Sequence, residues 1–252
     1  MTPEQLSNQI AAEIQLLGLS FYFDPVTKDR AKTHGLNSVE FYGLGRGGVL
    51  GDADTQAVFD AFTFFDASAI EFLWTQAKTK ADPVDVASDY VLAAYDYAER
   101  TFGGVDPEAL ADFGGYVRRV VDALEPGRCA LVDGYKRFEV PTNPVHSAYL
   151  GTILLRELRG GLHIEAVNEI GLTPKEAAFL QDVGVYKFHG YDESSAPEAT
   201  VELVAKKERA EELTTQKEAA CMAVLSSEEC DRVREVSALM YAALSNPVAV
   251  TR

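Results

Sequence analysis

The 252 residues, 47% hydrophobic and 25% charged with 19 glycines and 10 prolines, are enough for one large or two small domains with a core that needs no disulfide or metal. Three cysteines without CxxC spacing suit a reducing cytoplasm and argue against zinc; no run of ~18 uncharged apolar residues offers a membrane span, and Met1-Thr-Pro-Glu-Gln does not read as a secretory signal. The net charge of −16, divided as −11 over residues 1–126 and −5 over 127–252, repels a phosphate polyanion and argues against nucleic acid as a partner.

Periodicity is helical almost throughout. Leu6, Ile10, Ile14 and Leu17 form one stripe of a helix over 5–17. Pro25 interrupts the aromatic Phe21-Tyr-Phe, and a short helix over 27–34 ends at Gly35. Helices follow over 55–65 and, capped by Asp66, over 67–78. Asp82-Pro83 and Asp106-Pro107 each open another, since proline is tolerated in the first turn. The first of these runs to Thr101 and stops at Gly103-Gly104; the second breaks or kinks near Gly114-Gly115 and resumes to Leu124. Glu125-Pro-Gly is a turn and the best boundary between an N-terminal helical half, 1–126, and a C-terminal half, 127–252.

Residues 127–144 are the least regular, and 130–132 and 137–140 look strand-like. A nearly continuous apolar run over 145–158 predicts a buried helix, followed by a second helix over 162–170 closed by Gly171. Thr173-Pro-Lys-Glu176 is a capping box, so 162–182 has the outline of a helix-turn-helix. Its second helix carries one lysine, Lys175, among Glu176, Gln181 and Asp182, poor chemistry for reading base edges. A polar loop over 190–196 leads to two long terminal helices, 197–225 and one capped at Ser226. The fold class is all-α with little or no β structure.

Two short stretches recur. Arg46-Gly-Gly-Val aligns with Arg159-Gly-Gly-Leu, and Asp66-Ala-Ser-Ala-Ile-Glu-Phe-Leu with Thr173-Pro-Lys-Glu-Ala-Ala-Phe-Leu. Such a repeat implies two similar helical halves facing each other. Gly43-Leu-Gly-Arg-Gly-Gly48 matches the dinucleotide pattern literally but lacks the strand and βα alternation that pattern requires. Close backbone packing, or amides freed to meet an anion, explains these glycines better.

Candidate binding residues come from charges in apolar surroundings. Arg159 and His163 follow the apolar run, with Arg156 and Glu157 beside them, and buried charges need partners or a ligand. Arg159 is therefore expected to pair across the half-boundary or to face a cavity containing His163. In the first half, Arg46 and Tyr42 lie near a crowd of aromatics that includes Phe65, some of which are expected to line a pocket for a flat apolar ligand. The ligand-binding set is thus Tyr42, Arg46, Phe65, Arg159 and His163. No histidine pair has metal-ligand spacing, no nucleophile–base pair nominates a catalytic residue, and no cofactor is named.

Phe21-Tyr-Phe-Asp-Pro, Phe41-Tyr-Gly-Leu-Gly-Arg-Gly-Gly-Val-Leu-Gly, Phe59-Asp-Ala-Phe-Thr-Phe-Phe and the segment from Leu155 to Ala177 occur in the order seen in an actinobacterial family of uncharacterised function, usually labelled helix-turn-helix. The chain resembles that family from about Phe21 onward, best around Arg46, Arg159 and His163. The resemblance implies a fold related to a degenerate helix-turn-helix or winged helix. Two departures stand out: Gly161 occupies a place where the family typically has Asp, and the stretch between Gln181 and Leu213 is shorter. That stretch is where a winged-helix-like element would lie.

Three functions follow from this reading. The first is a helical protein, derived from a regulator-like fold, that binds a small apolar or anionic ligand or a partner protein and is not itself a strong DNA binder. The second is a DNA-binding transcription regulator. The third is an enzyme or cofactor-binding protein using His163. A homodimer is left open, and the expected compartment is the cytoplasm.

Overall fold

The computed structural model describes residues 1–181 and 184–245. Those residues are helical or irregular, with no strand among them, so the fold is all-α. Helix starts carry the strongest local signals. α1 (Pro3–Leu19) opens on a Thr2–Gln5 capping box and buries the stripe Leu6, Ile10, Ile14 and Leu17. Asp24, Asp82, Asp106 and Asn143 each cap a helix whose first residue is proline: α2 (Pro25–Thr33), α6 (Pro83–Phe102), α7 (Pro107–Asp122) and α9 (Pro144–Ile170). In each, the side-chain oxygen takes backbone amides that have no partner inside the helix.

The glycine-rich sequence of α3 (Ser38–Gly47) does not read as a helix, although an Asn37–Glu40 capping box begins it. Its glycines are contact points. A Cβ on Gly45 would stand 2.6 Å from the ring of Tyr90 in α6, and one on Gly48 2.0 Å from the Pro83 carbonyl. Backbone lies against a side chain at Gly45 and against backbone at Gly48, and the dinucleotide reading of this segment closes because Gly43 to Gly47 lie within α3 and a 3-10 turn follows.

Other expectations are corrected. The helix expected over 55–65 is α4 (Thr55–Ala61) and ends at a turn. The next stretch begins as α5 (Ala67–Ile70), widens into a π-helical turn over Glu71–Gln76 and tightens into a 3-10 turn. α7 runs unbroken past Gly114-Gly115, because Gly114 faces Ser147 of α9 too closely for a side chain. Residues 130–132, expected to look like a strand, belong to α8 (Ala130–Tyr135), and 137–140 form turn and irregular backbone.

The largest correction concerns α9. The two helices expected over 145–158 and 162–170 are one 27-residue helix, with Arg159-Gly-Gly in its interior, about 40 Å long at 1.5 Å per residue. It packs against α1, α6, α7, α8 and, further along the chain, α12 (Val201–Met222). Tyr149, Leu150, Ile153, Leu154, Leu155 and Leu158 are accordingly buried on several faces, the mark of a central helix. The two Arg-Gly-Gly segments therefore have different settings, one at a helix end and one mid-helix.

One apolar cluster extends from Leu6 to Met240 and draws on both sides of Pro126. A second, smaller cluster gathers Val167, Leu172, Ala177, Leu203 and Ala210. It holds together the end of α9, the tight turn at Gly171 (φ +69°), α10 (Pro174–Phe179) and the start of α12. α11 (Val185–Phe188) lies between α10 and α12, and α13 (Ser227–Ser245) completes the described chain. The helix expected over 197–225 begins four residues later, with Thr200 as its cap. Asp182, at the end of the expected helix-turn-helix segment, lies outside the described residues.

Candidate functional site

Two polar seams run through the protein, and α9 contributes to both. The first begins at the last turn of α3. Arg46, 8% exposed, donates from Nε (2.9 Å) and Nη2 (2.7 Å) to the two oxygens of Glu157, 3% exposed. This two-pronged geometry matches a planar guanidinium to a planar carboxylate. Nη1 of Arg46 reaches the Tyr42 hydroxyl at 3.3 Å, and the guanidinium lies 4.3 Å from the centre of the Phe62 ring. Arg156 donates from Nη1 to the same Glu157 at 3.0 Å and stands 5.4 Å from the Tyr22 ring.

Two guanidiniums thus share one carboxylate inside an aromatic shell. Burial pushes the Glu157 carboxyl up, but Arg46 and Arg156 outweigh it and hold the group below its usual range. Burial likewise raises the Tyr22 hydroxyl, which stays protonated. Tyr42 packs on Tyr22 (4.9 Å), Phe188 (5.3 Å), Phe62 and Phe65 (both 6.3 Å). Over this layer lies α11. Its Phe188 ring meets Phe65 at 5.7 Å and Phe23 at 6.1 Å, and the next residue, His189, meets Phe65 at 4.6 Å. Burial first, then the positive charges of Arg46 and Arg156, push the His189 imidazole down to about 4.

The second seam joins α9 to α12 and α1. Arg159 donates to Glu218 (2.8 Å) and Glu211 (3.2 Å), and Glu218 also accepts from Ser7 at 2.5 Å. Burial raises the Glu218 carboxyl, with Arg159 and Ser7 opposing. His163 Nδ1 lies 2.9 Å from Thr214 Oγ1, whose own proton goes to the Ala210 carbonyl. The hydroxyl is therefore the acceptor and His163 carries its proton on Nδ1. Nε2 faces Glu211 at 3.8 Å, and burial lowers the imidazole pKa.

The five expected residues thus fall into two groups. Tyr42, Arg46 and Phe65 come together, and so do Arg159 and His163. Phe64, whose ring is 5.5 Å from His163, bridges toward the first group through its neighbour Phe65. Arg159 itself does not pair across the half-boundary, since Glu211 and Glu218 both belong to 127–252, although Glu218 also accepts from Ser7 of the first half; Arg46–Glu157 is among the ion pairs that do cross. Glu157 does turn away from Arg159, as two residues along one helix must.

Phe188 and His189, which join the aromatic layer of the first seam, carry no clear signal in the sequence. A four-residue helix shows no periodicity, and the available hint was an aromatic–His–Gly sequence beside a polar loop. An open cleft of about 200 Å³ lies elsewhere, lined by Gly48, Val49, Ala87, Gly134 and Phe138 among others, and none of the five expected residues lines it. Among the described residues no three His, Cys, Asp or Glu side chains converge as metal ligands, and no helix is long and apolar enough to cross a membrane.

Gly161, where an Asp was expected from the family pattern, faces α8. A Cβ there would stand 2.6 Å from Cys129 Sγ. Comparison with characterised proteins and with solved structures returns no match. Residues 7–196 match a family described as the Helix-turn-helix family, a stretch that includes the first polar seam, Arg159 and His163 of the second, α10 and α11, and stops short of Glu211, Thr214 and Glu218 on α12. The chain belongs to the Helix-turn-helix family.

Proposed function

We propose that this protein is a ligand-binding member of the Helix-turn-helix family, taking a small molecule at the aromatic shell around Arg46 and not acting as a strong DNA binder. The observation that carries this reading is the shared carboxylate: Arg46 and Arg156 both depend on Glu157 inside a shell of Tyr22, Tyr42, Phe62 and Phe65. A shell built for stability alone gains little from a second buried cation. Aromatic side chains around a few convergent polar groups are the usual lining of a small-molecule site.

The DNA-binding reading rests on the family and on the helix–turn–helix outline from α9 through Gly171 to α10. Against it, α10 is six residues long, and none of residues 174–181 is fully exposed. A reading helix must present polar side chains to the groove, and the −16 charge works against the backbone contacts that supply affinity. The enzymatic reading loses its centre, because both ring nitrogens of His163 face protein groups on α12.

Native mass spectrometry after incubation with a fractionated small-molecule extract tests the proposal. A bound species of defined mass that is lost in Phe65→Ala is the expected result. Retardation of duplex DNA at micromolar protein and low salt, with no bound small molecule, would overturn it.

A further inference from the structure

The open cleft of about 200 Å³ lies between the 3-10 turn Gly48–Leu50, the first turns of α6, the end of α8 and the turn that follows it. Val49, Val84, Ala87 and Phe138 give it an apolar lining, and Val84 is 49% exposed. Beneath it the packing is close: a Cβ on Gly134 would stand 2.6 Å from the Val49 side chain, so α8 rests directly on the 3-10 turn. The walls come from both sides of Pro126, and no single stretch of sequence announces them. One lining residue carries a charge, Arg137.

Arg137 stands apart from the other arginines. Among the described residues, each of the others has a carboxylate oxygen within 3.4 Å. Arg137 has no such partner, and its hydrogen bond runs from Nη1 to the Val49 carbonyl at 3.5 Å, beyond the usual range. Because Val49 itself lines the cleft, that contact places the guanidinium at the cleft wall. The chain carries 39 acidic side chains against 23 basic ones, so carboxylates are in surplus, yet none is set against this cation. A guanidinium presents a planar fork of donors that matches an oxyanion. A lone cation in so acidic a chain suits a singly charged carboxylate better than a phosphate dianion, which the net field repels more strongly.

We propose that this cleft is a second binding site, for a small carboxylate with an apolar body, in which the carboxylate pairs with Arg137 and the body covers Val49, Val84, Ala87 and Phe138. The volume sets the size of that body. An apolar cavity of roughly 150 Å³ holds benzene, whereas drug-sized ligands occupy about 300 Å³ or more, so a body of about six carbons fits. The two parts of the ligand answer separate features of the cleft. The body takes exposed apolar surface out of water, and the carboxylate supplies the counter-charge that Arg137 lacks. This site shares no residue with the aromatic shell around Arg46.

Isothermal titration at neutral pH and low salt with hexanoate, hexanamide and acetate tests this. Hexanoate is expected to bind at least tenfold tighter than hexanamide, which lacks the charge, and than acetate, which lacks the body. Arg137→Gln should weaken hexanoate at least tenfold while leaving hexanamide unchanged. Arg137 is exposed and gives up one long hydrogen bond in that variant, so the fold should stand, with far-ultraviolet circular dichroism confirming it. Ser88→Phe, at an exposed position of α6 that also lines the cleft, should block hexanoate by filling the space with a ring. Phe65→Ala should leave hexanoate binding unchanged, so this site and the one around Arg46 fail independently. Equal binding of hexanoate and hexanamide, or full affinity in Arg137→Gln, would overturn the proposal, as would acetate binding as tightly as hexanoate. Absence of hexanoate binding at about 10 mM, weaker than the millimolar end of the affinity scale, would overturn it as well.

Discussion

Arg46 and Glu157, 111 positions apart in the chain, form a two-pronged ion pair at 2.9 and 2.7 Å that joins the end of α3 to the middle of α9. Both are buried, and the carboxylate also serves Arg156. Glu157→Gln removes the one negative charge from two buried cations, so a loss of about 3–5 kcal/mol is expected in urea denaturation. Arg46→Met combined with Glu157→Met should cost less than the two single changes added together, because the interaction is then deleted from both ends. Additive losses would show that the pair is not energetically coupled.

His163 presents a milder case. Its Nδ1–H donates to a threonine hydroxyl that is already satisfied through its own proton. His163→Ala should cost about 1–2 kcal/mol of stability, and His163→Asn, whose amide N–H replaces the donor, less. A loss above about 4 kcal/mol in His163→Ala, outside the ordinary range for single substitutions, would show that the second seam depends on the ring itself.

His189 makes stability depend on pH. Its folded-state value lies near 4, below the unfolded value of about 6.5, so the unfolded chain takes up the proton first. Stability on this account is fully present above pH 6.5 and is lost as pH falls from there toward 4. The loss is about 2–3 kcal/mol for a shift of this size with partial exposure. Carboxylates titrate in the same range, so the informative quantity is the difference between wild type and His189→Phe in chemical denaturation at pH 7 and pH 4.5. That difference should shrink as the pH is lowered; a constant difference would rule out the effect.

Gly161→Asp restores the residue expected from the family pattern and should destabilise the protein by about 2 kcal/mol or more. The new Cβ meets Cys129 Sγ at 2.6 Å, and overpacking of this kind costs about 1–3 kcal/mol. Cys129→Ala should recover part of the loss by removing the sulfur. Thermal melting of the single and double variants checks both statements, and an unchanged midpoint in Gly161→Asp would show that α8 yields freely.

Where a helix announced itself by an acid before a proline, or by a capping box, as at Asp82-Pro83 and Thr173-Pro174, its start was legible from local chemistry alone. Boundaries set by tertiary contact were not. The Arg159-Gly-Gly segment reads as an interruption, yet α9 passes through it because Gly161 must admit Cys129. α3 reads as a loop of glycines because the partners those glycines accept, Tyr90 and Pro83, lie some forty residues on. The site divides in the same way. Arg46, Tyr42 and Phe65 were legible as a charge among aromatics, and Arg159 with His163 as charges beside an apolar run. Their partners, Glu218, Glu211 and Thr214, sit on a separate long charged helix where nothing distinguishes them from solvent-facing neighbours.

The glycines of α3 also bear on the order in which the chain folds. Gly43, Gly45 and Gly47 lie within ten helical residues, and each lowers intrinsic helicity by roughly 1 kcal/mol relative to alanine. An isolated α3 would not persist in water, so it winds only as it docks on α6 and the π-helical turn. Its amide protons should then exchange with solvent in step with those of α6, and its contacts should be late arrivals on the folding route. Changes in α3 should therefore accelerate unfolding far more than they slow refolding.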